Sequence, residues 1–142
     1  MSDDYDRLQA LLDAADRGDL PAVIGLLDAG VPVDAVTNGR FPWTSLMHAA
    51  YRGRLDVVRL LLDRGANVAH QDLDYFTAAA VAAGEGHWDV LEVLARRGAD
   101  LDFADGTGTS PLSYAEKAGP PDLVIRLKAL RAAKPPGAAP PA

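Results

Sequence analysis

A spacing of 33 residues recurs along this chain and constrains it more than any single motif. Gly53 returns as Gly86 and Gly119, and Gly65 returns as Gly98. Thr44, Thr77 and Ser110 keep the same interval, as do Ala49, Ala82 and Ala115. Upstream the interval is 35, from Gly18 to Gly53 and from Gly30 to Gly65, so the first connection is two residues longer. A fixed period over nearly the whole chain is the mark of stacked like units, none of which buries its apolar face alone. The stretch TSLMHAAYRGRLDVVRLLLDRG, from Thr44 to Gly65, shows the unit. Leu46, Ala49 and Ala50 give a first short helix its apolar side; Val57, Val58, Leu60, Leu61 and Leu62 do so for a second. Arg52-Gly53-Arg54 turns between them, and Gly65 stops the second helix because glycine takes the left-handed conformation without steric cost. Neither helix is long enough to persist alone in water.

The phased residues carry a family resemblance. Thr44-Ser45-Leu46, Thr77-Ala78-Ala79 and Ser110-Pro111-Leu112 stand where a T-P-L motif would, Gly86-His87 matches G-H, and Gly65-Ala66-Asn67 and Gly98-Ala99-Asp100 match G-A-[DN]. Asp72 and Asp105 match a turn aspartate, and Gly108 a turn glycine. Over residues 3 to 133 the chain resembles the ankyrin-repeat proteins, whose period and T-P-L-H-x-A signature these are. The resemblance implies an all-α solenoid of four helix-turn-helix units with finger-like β-turn loops, in repeats of about 3–35, 36–69, 70–102 and 103–133. The signature histidine is replaced by Met47, Ala80 and Ser113, and the turn glycine by Pro42 and Tyr75. Distorted finger turns are therefore expected at those two places.

One domain over residues 1–134 is expected, followed by a disordered Pro/Ala-rich tail at 135–142 within KPPGAAPPA. Cysteine is absent, which excludes disulfides and thiol chemistry. No apolar run approaches the ~20 residues of a membrane helix, and the start, Met1-Ser2-Asp3-Asp4, lacks the order of a signal peptide. A cytoplasmic location is the default expectation. Arginine (11) far exceeds lysine (3) and alanine is abundant, as in a GC-rich, bacterial coding sequence. Residues 1–34 hold eight aspartates against two arginines, which accounts for the whole net charge of −6. That acidic end either keeps the stack soluble or steers a basic partner. Nucleic acid is disfavoured because no basic stripe exists, and polar ends favour a monomer.

Along the chain, Asn38-Gly39 marks a turn in a long first finger, Gly84-Glu85-Gly86 predicts a loose turn, and the phase of Trp88 with Leu55 predicts a core residue. No residue set argues for catalysis, so the protein is expected not to be an enzyme and to use no cofactor. Asp100-x-Asp102-x-x-Asp105-Gly106 has the wrong spacing for a calcium loop. His70-x-Asp72-x-Asp74 is the remaining metal candidate and underlies a minor alternative, a small metal-dependent hydrolase. His48 has no nucleophile in register.

In the ankyrin resemblance, partners meet the finger tips and the concave surface of each first helix. Carried over by phase, the partner-binding positions are Arg40, Phe41, Trp43, Tyr51 and Arg52, then Leu73, Asp74, Tyr75, Phe76 and Glu85. The fourth unit offers Gly106, Thr107, Thr109 and Lys117, a bland set. Five of nine aromatics thus fall near one stretch, and aromatics with arginine are what binding hot spots prefer. The alternative is that these rings pack together to stiffen the fingers. The implied function is non-catalytic recognition of another protein. Further alternatives are an immunity protein or antitoxin neutralising a basic toxin, and a passive scaffold.

Overall fold

The computed structural model describes residues 3–37, 39 and 42–133. Eight helices are present among them: α1 (Asp3–Arg17), α2 (Leu20–Asp28), α3 (Ser45–Arg52), α4 (Leu55–Asp63), α5 (Ala78–Gly84), α6 (Trp88–Arg96), α7 (Pro111–Ala118) and α8 (Pro121–Ala133). Arg40, Phe41, Asn38 and the expected tail at 135–142 lie outside the described residues. The helices pair as α1–α2, α3–α4, α5–α6 and α7–α8. Odd-numbered helices pack in sequence as an inner row and even-numbered ones as an outer row. No strand occurs among the described residues, so the architecture is an all-helical solenoid. Nor is any described helix long and apolar enough to cross a membrane.

The local chemistry repeats with the sequence. Thr44, Thr77 and Ser110 cap α3, α5 and α7, each accepting through its hydroxyl from the N–H three residues on, at 3.3, 3.2 and 3.2 Å. The cap satisfies a donor that a helix start leaves orphaned. The inner row is lined by alanines at full burial, Ala14, Ala15, Ala49, Ala50, Ala82 and Ala115, so its backbones come close. Leu11, Leu46, Val57, Leu61, Val90, Leu94, Leu123 and Leu127 join one apolar cluster that runs from the first pair to the last.

Neighbouring pairs are also tied by polar contacts. Arg64 reaches back to Asp28 at 2.9 Å and Arg97 likewise binds Asp63. Arg126 grips Glu92 through two nitrogens at 2.8 and 3.1 Å, which holds that carboxyl below its usual range. Exposed pairs of this kind contribute at most about 1 kcal/mol each. The turn at the base of each early pair is more demanding. Arg54 Nε donates to the carbonyl of Asp16 at 3.1 Å, and His87 Nε2 lies 2.9 Å from the carbonyl of Tyr51. A carbonyl only accepts, so the His87 Nε2 carries the proton.

Three expectations need correction. The Gly84-Glu85-Gly86 turn is not loose: Gly86 and His87 donate to Ala83 and Ala82 at 3.1 and 2.9 Å, as Gly53 and Arg54 do to Ala50 and Ala49 at 3.2 and 2.9 Å. The two turns close with the same bonds because each has one left-handed glycine at the same place. Trp88 is half-buried rather than core; it opens α6 and packs against the cluster from the rim, as Leu55 does for α4.

The third correction concerns Tyr75. Its turn is regular. Asp72 N–H donates to Phe76 O at 3.0 Å and Tyr75 N–H to Asp72 O at 3.1 Å, matching Asp105 to Thr109 at 3.0 Å and Gly108 to Asp105 at 2.8 Å. The Asp72 side chain holds it, accepting through Oδ1 from Asp74 N–H at 2.9 Å and Phe76 N–H at 3.0 Å. Tyr75 accordingly stands at φ 63°, where its counterpart Gly108 stands at 81°. Tyrosine is strained there by about 1–2 kcal/mol, and glycine is not. Tyr75→Gly is therefore expected to raise stability by about 1 kcal/mol once the added freedom of the unfolded chain is subtracted. A urea midpoint that rises checks this; one that falls contradicts the strain.

Candidate functional site

The inner row and the finger bases enclose a groove of about 350 Å³. Its lining comes from three successive helix pairs: Trp43 and Tyr51, then Phe76, Ala80, Val81, Gly84 and Glu85, then Tyr114. Four aromatic rings thus stand around a floor of small residues. Gly84 deepens that floor, since a Cβ there would sit 3.9 Å from the Tyr114 ring with no closer neighbour.

Each ring is held. Trp43 Nε1–H donates to Asp72 Oδ2 at 2.8 Å, across the boundary between two pairs. Its ring meets Tyr51 edge-on at 5.5 Å and His48 at 5.4 Å. Arg52 stacks over Tyr51 at 5.4 Å and donates to Asp16 at 3.2 Å. Burial holds the His48 imidazole below its usual pKa, and Asp16 at 3.6 Å only partly offsets this. On the far wall, Tyr114 donates its hydroxyl to Asp105 Oδ2 at 2.6 Å. Burial pushes the Asp105 carboxyl up, but hydrogen bonds from Thr107, Tyr114 and Thr109 outweigh it and keep the group low. Burial and Asp105 together raise the Tyr114 phenol.

The residues singled out from sequence divide into three sets. Trp43, Tyr51, Phe76 and Glu85 line the groove, and Arg52 sits beside it on Tyr51. Leu73, Asp74 and Tyr75 do not line it; they form the finger tip, with Leu73 75% and Tyr75 58% exposed. Asp74 also accepts from Gly106 N–H at 2.7 Å, joining two fingers. Arg40 and Phe41 lie outside the described residues. Sequence reasoning missed Tyr114, and it weighed His48 only as a catalytic residue, where the structure sets its ring against Trp43. His48, Val81 and Tyr114 fall 33 residues apart, so the period puts them at one phase, but it does not say which of them share a cavity.

The metal candidates are used otherwise. His70 Nε2 lies 2.8 Å from the carbonyl of Pro42, and Asp72 holds Trp43 and its own turn. Among the described residues no three His, Cys, Asp or Glu side chains gather as ligands. The acidic first pair is partly committed too. Asp16 and Asp28 pair with Arg52 and Arg64, and Asp34 accepts from Asn67 N–H at 2.8 Å.

Comparison with known proteins gives the same architecture. A family model of ankyrin repeats matches residues 2–72 and 46–134, in three copies. The curated relatives include "Ankyrin repeat, SAM and basic leucine zipper domain-containing protein 1" from Dasypus novemcinctus, 37% identical over 120 residues, covering 82% of this chain and 25% of the relative. The same-named protein of Ovis aries is 36% identical over 124 residues, covering 84% and 26%. That of Microcebus murinus is 37% identical over 118 residues, covering 80% and 24%. The chain spans about a quarter of the length of these mammalian proteins.

Proposed function

The chain belongs to the ankyrin-repeat family, whose repeats are general protein-interaction modules, and from this premise we propose that it is a non-catalytic module that grips a partner protein through its inner-helix face. Four repeats, at about 3–35, 36–69, 70–102 and 103–133, form one domain. The observation that carries the proposal is the groove walled by Trp43, Tyr51, Phe76 and Tyr114. Stacked helices do not need four rings on one open face, whereas a binding site gains much buried area from rings with few torsions to freeze. Arg52 and Glu85 supply charges of opposite sign at the rim and set orientation. Arg40, Phe41, Leu73, Asp74 and Tyr75 extend the contact along the fingers. The strained and exposed Tyr75 fits this role, because strain of this kind is kept where function requires the side chain.

The test begins with a pull-down from the native host, with partners identified by mass. The affinity of the purified pair is then measured. Phe76→Ala is expected to weaken it about tenfold, or roughly 1.4 kcal/mol. Ile125→Ala, on the exposed outer side of α8, should leave it unchanged. Equal weakening by both, or by neither, means that the partner binds elsewhere.

A further inference from the structure

We propose that the aromatic groove is an arginine receptor: it takes one arginine side chain of the partner protein, with the guanidinium against the rings and its charge met by Glu85. This rests on the groove as the docking face and adds the chemistry of what enters it. A groove of about 350 Å³ sits at the small end of ligand pockets, roughly 300–1,000 Å³, so it suits a single long side chain better than a whole helix. Trp43 and Tyr51 meet at an interplanar angle of 62°, which makes their rings adjoining walls of one corner, and Phe76 and Tyr114 complete the lining. The faces of such rings are the negative side of the aromatic quadrupole and attract a cation.

The charges at the groove favour one sign of ligand. Glu85 is the one charged residue among its described lining, and no ion pair or hydrogen bond to another described residue engages its carboxylate. Asp72 accepts from Trp43 Nε1–H at 2.8 Å and Asp105 from the Tyr114 hydroxyl at 2.6 Å. Each bond sets a carboxylate beside a ring and pushes electron density into it, which deepens its attraction for a cation. Arg52, beside the groove, already has Asp16 as its counter-ion at 3.2 Å, and Lys117 is not among the lining residues. The chain itself displays the same chemistry one unit earlier. Arg52 lies 33 residues before Glu85, stacks over Tyr51 at 5.4 Å and donates to a carboxylate. One unit on, rings and a carboxylate recur without a guanidinium from the described residues. Arginine is assigned over lysine because its planar, weakly hydrated head stacks on rings and pairs a carboxylate through two N–H groups.

The experiment titrates the full, isotope-labelled chain with the capped pentapeptide Gly-Gly-Arg-Gly-Gly at constant ionic strength. NMR follows the Trp43 indole N–H and the backbone amides of Phe76 to Glu85. Parallel titrations replace the arginine by lysine, and by citrulline, which keeps the shape and lacks the charge. The arginine peptide should shift the groove signals and bind about tenfold more tightly than the citrulline peptide, with the lysine peptide between them. Glu85→Gln, at an exposed position, should weaken the arginine peptide about tenfold and leave the citrulline peptide and thermal unfolding unchanged. Equal binding of arginine and citrulline would overturn the proposal, as would a Glu85→Gln chain that binds arginine undiminished. Tighter binding of lysine than of arginine would overturn the guanidinium assignment. If no peptide shifts the groove while Phe76→Ala still weakens partner binding, the docking face stands and only its arginine occupant is wrong.

Discussion

Gly53→Ala is expected to destabilise the protein by about 3 kcal/mol, far more than a surface change of one methyl group. Two causes add. Gly53 stands at φ 72°, where any Cβ costs about 1–2 kcal/mol. That Cβ would also lie 2.7 Å from His87 Nδ1 and 2.8 Å from Cε1. The imidazole cannot step aside cheaply, because its other nitrogen is bonded to Tyr51 O and holds one helix pair to the next. Losing that bond adds about 1 kcal/mol. Two neighbours separate the causes. Gly86 has the same φ sign with its nearest atom at 4.0 Å, so Gly86→Ala should cost only about 1–2 kcal/mol. Gly18→Ala meets the flexible stem of Arg54 at 2.8 Å and should fall between. Adding His87→Ala to Gly53→Ala should cost less than the two single changes together, which is the signature of direct contact. Urea midpoints at constant slope measure the series. Equal costs at Gly53 and Gly86 would show that the histidine gives way freely.

Asp72→Ala should cost about 3 kcal/mol and disable the groove at the same time. One carboxylate supports three donors: Asp74 N–H, Phe76 N–H and Trp43 Nε1–H. The Phe76 and Trp43 bonds are part-buried and the Asp74 bond is exposed, and charge-assisted bonds of this kind are worth about 1 kcal/mol each. Without it the finger loses its reason to accept Tyr75 at positive φ, and Trp43 loses the anchor that sets its ring plane. Asp72→Asn divides the effects. Its oxygen can still receive the two backbone donors, but its amide N–H₂ then faces the indole N–H, donor against donor. The asparagine chain is thus expected to recover most of the stability and little of the partner affinity. Stability and affinity recovering in parallel would mean that Trp43 orientation is irrelevant to binding.

The architecture was legible because it is written in period. Thr44, Thr77 and Ser110 cap three helices in register, and Gly30, Gly65 and Gly98 stop three others at positive φ. Local rules and the repeat point the same way at each of these positions. The expectation failed where one side chain overrules a propensity. Tyr75 looked unable to replace a turn glycine, yet the two backbone bonds to Asp72 force it there. For Trp43 packing in the finger and facing the groove are not exclusive: its nitrogen is bonded to Asp72 and its ring lines the groove. Tyr114 falls at the phase of His48 and Val81, not at the phase of Lys117. Which rings share one cavity depends on how far successive pairs rotate, and no spacing along the chain encodes that.

The account turns on the inner face being where a partner sits. Hydrogen exchange of the protein alone and in complex with its captured partner tests this most directly. The predicted result is added protection at Tyr51, Phe76, Ala80 to Glu85 and Tyr114, with α2, α4, α6 and α8 unchanged beyond global stabilisation. Protection concentrated on the outer helices, with the groove exchanging as in the free protein, would contradict it.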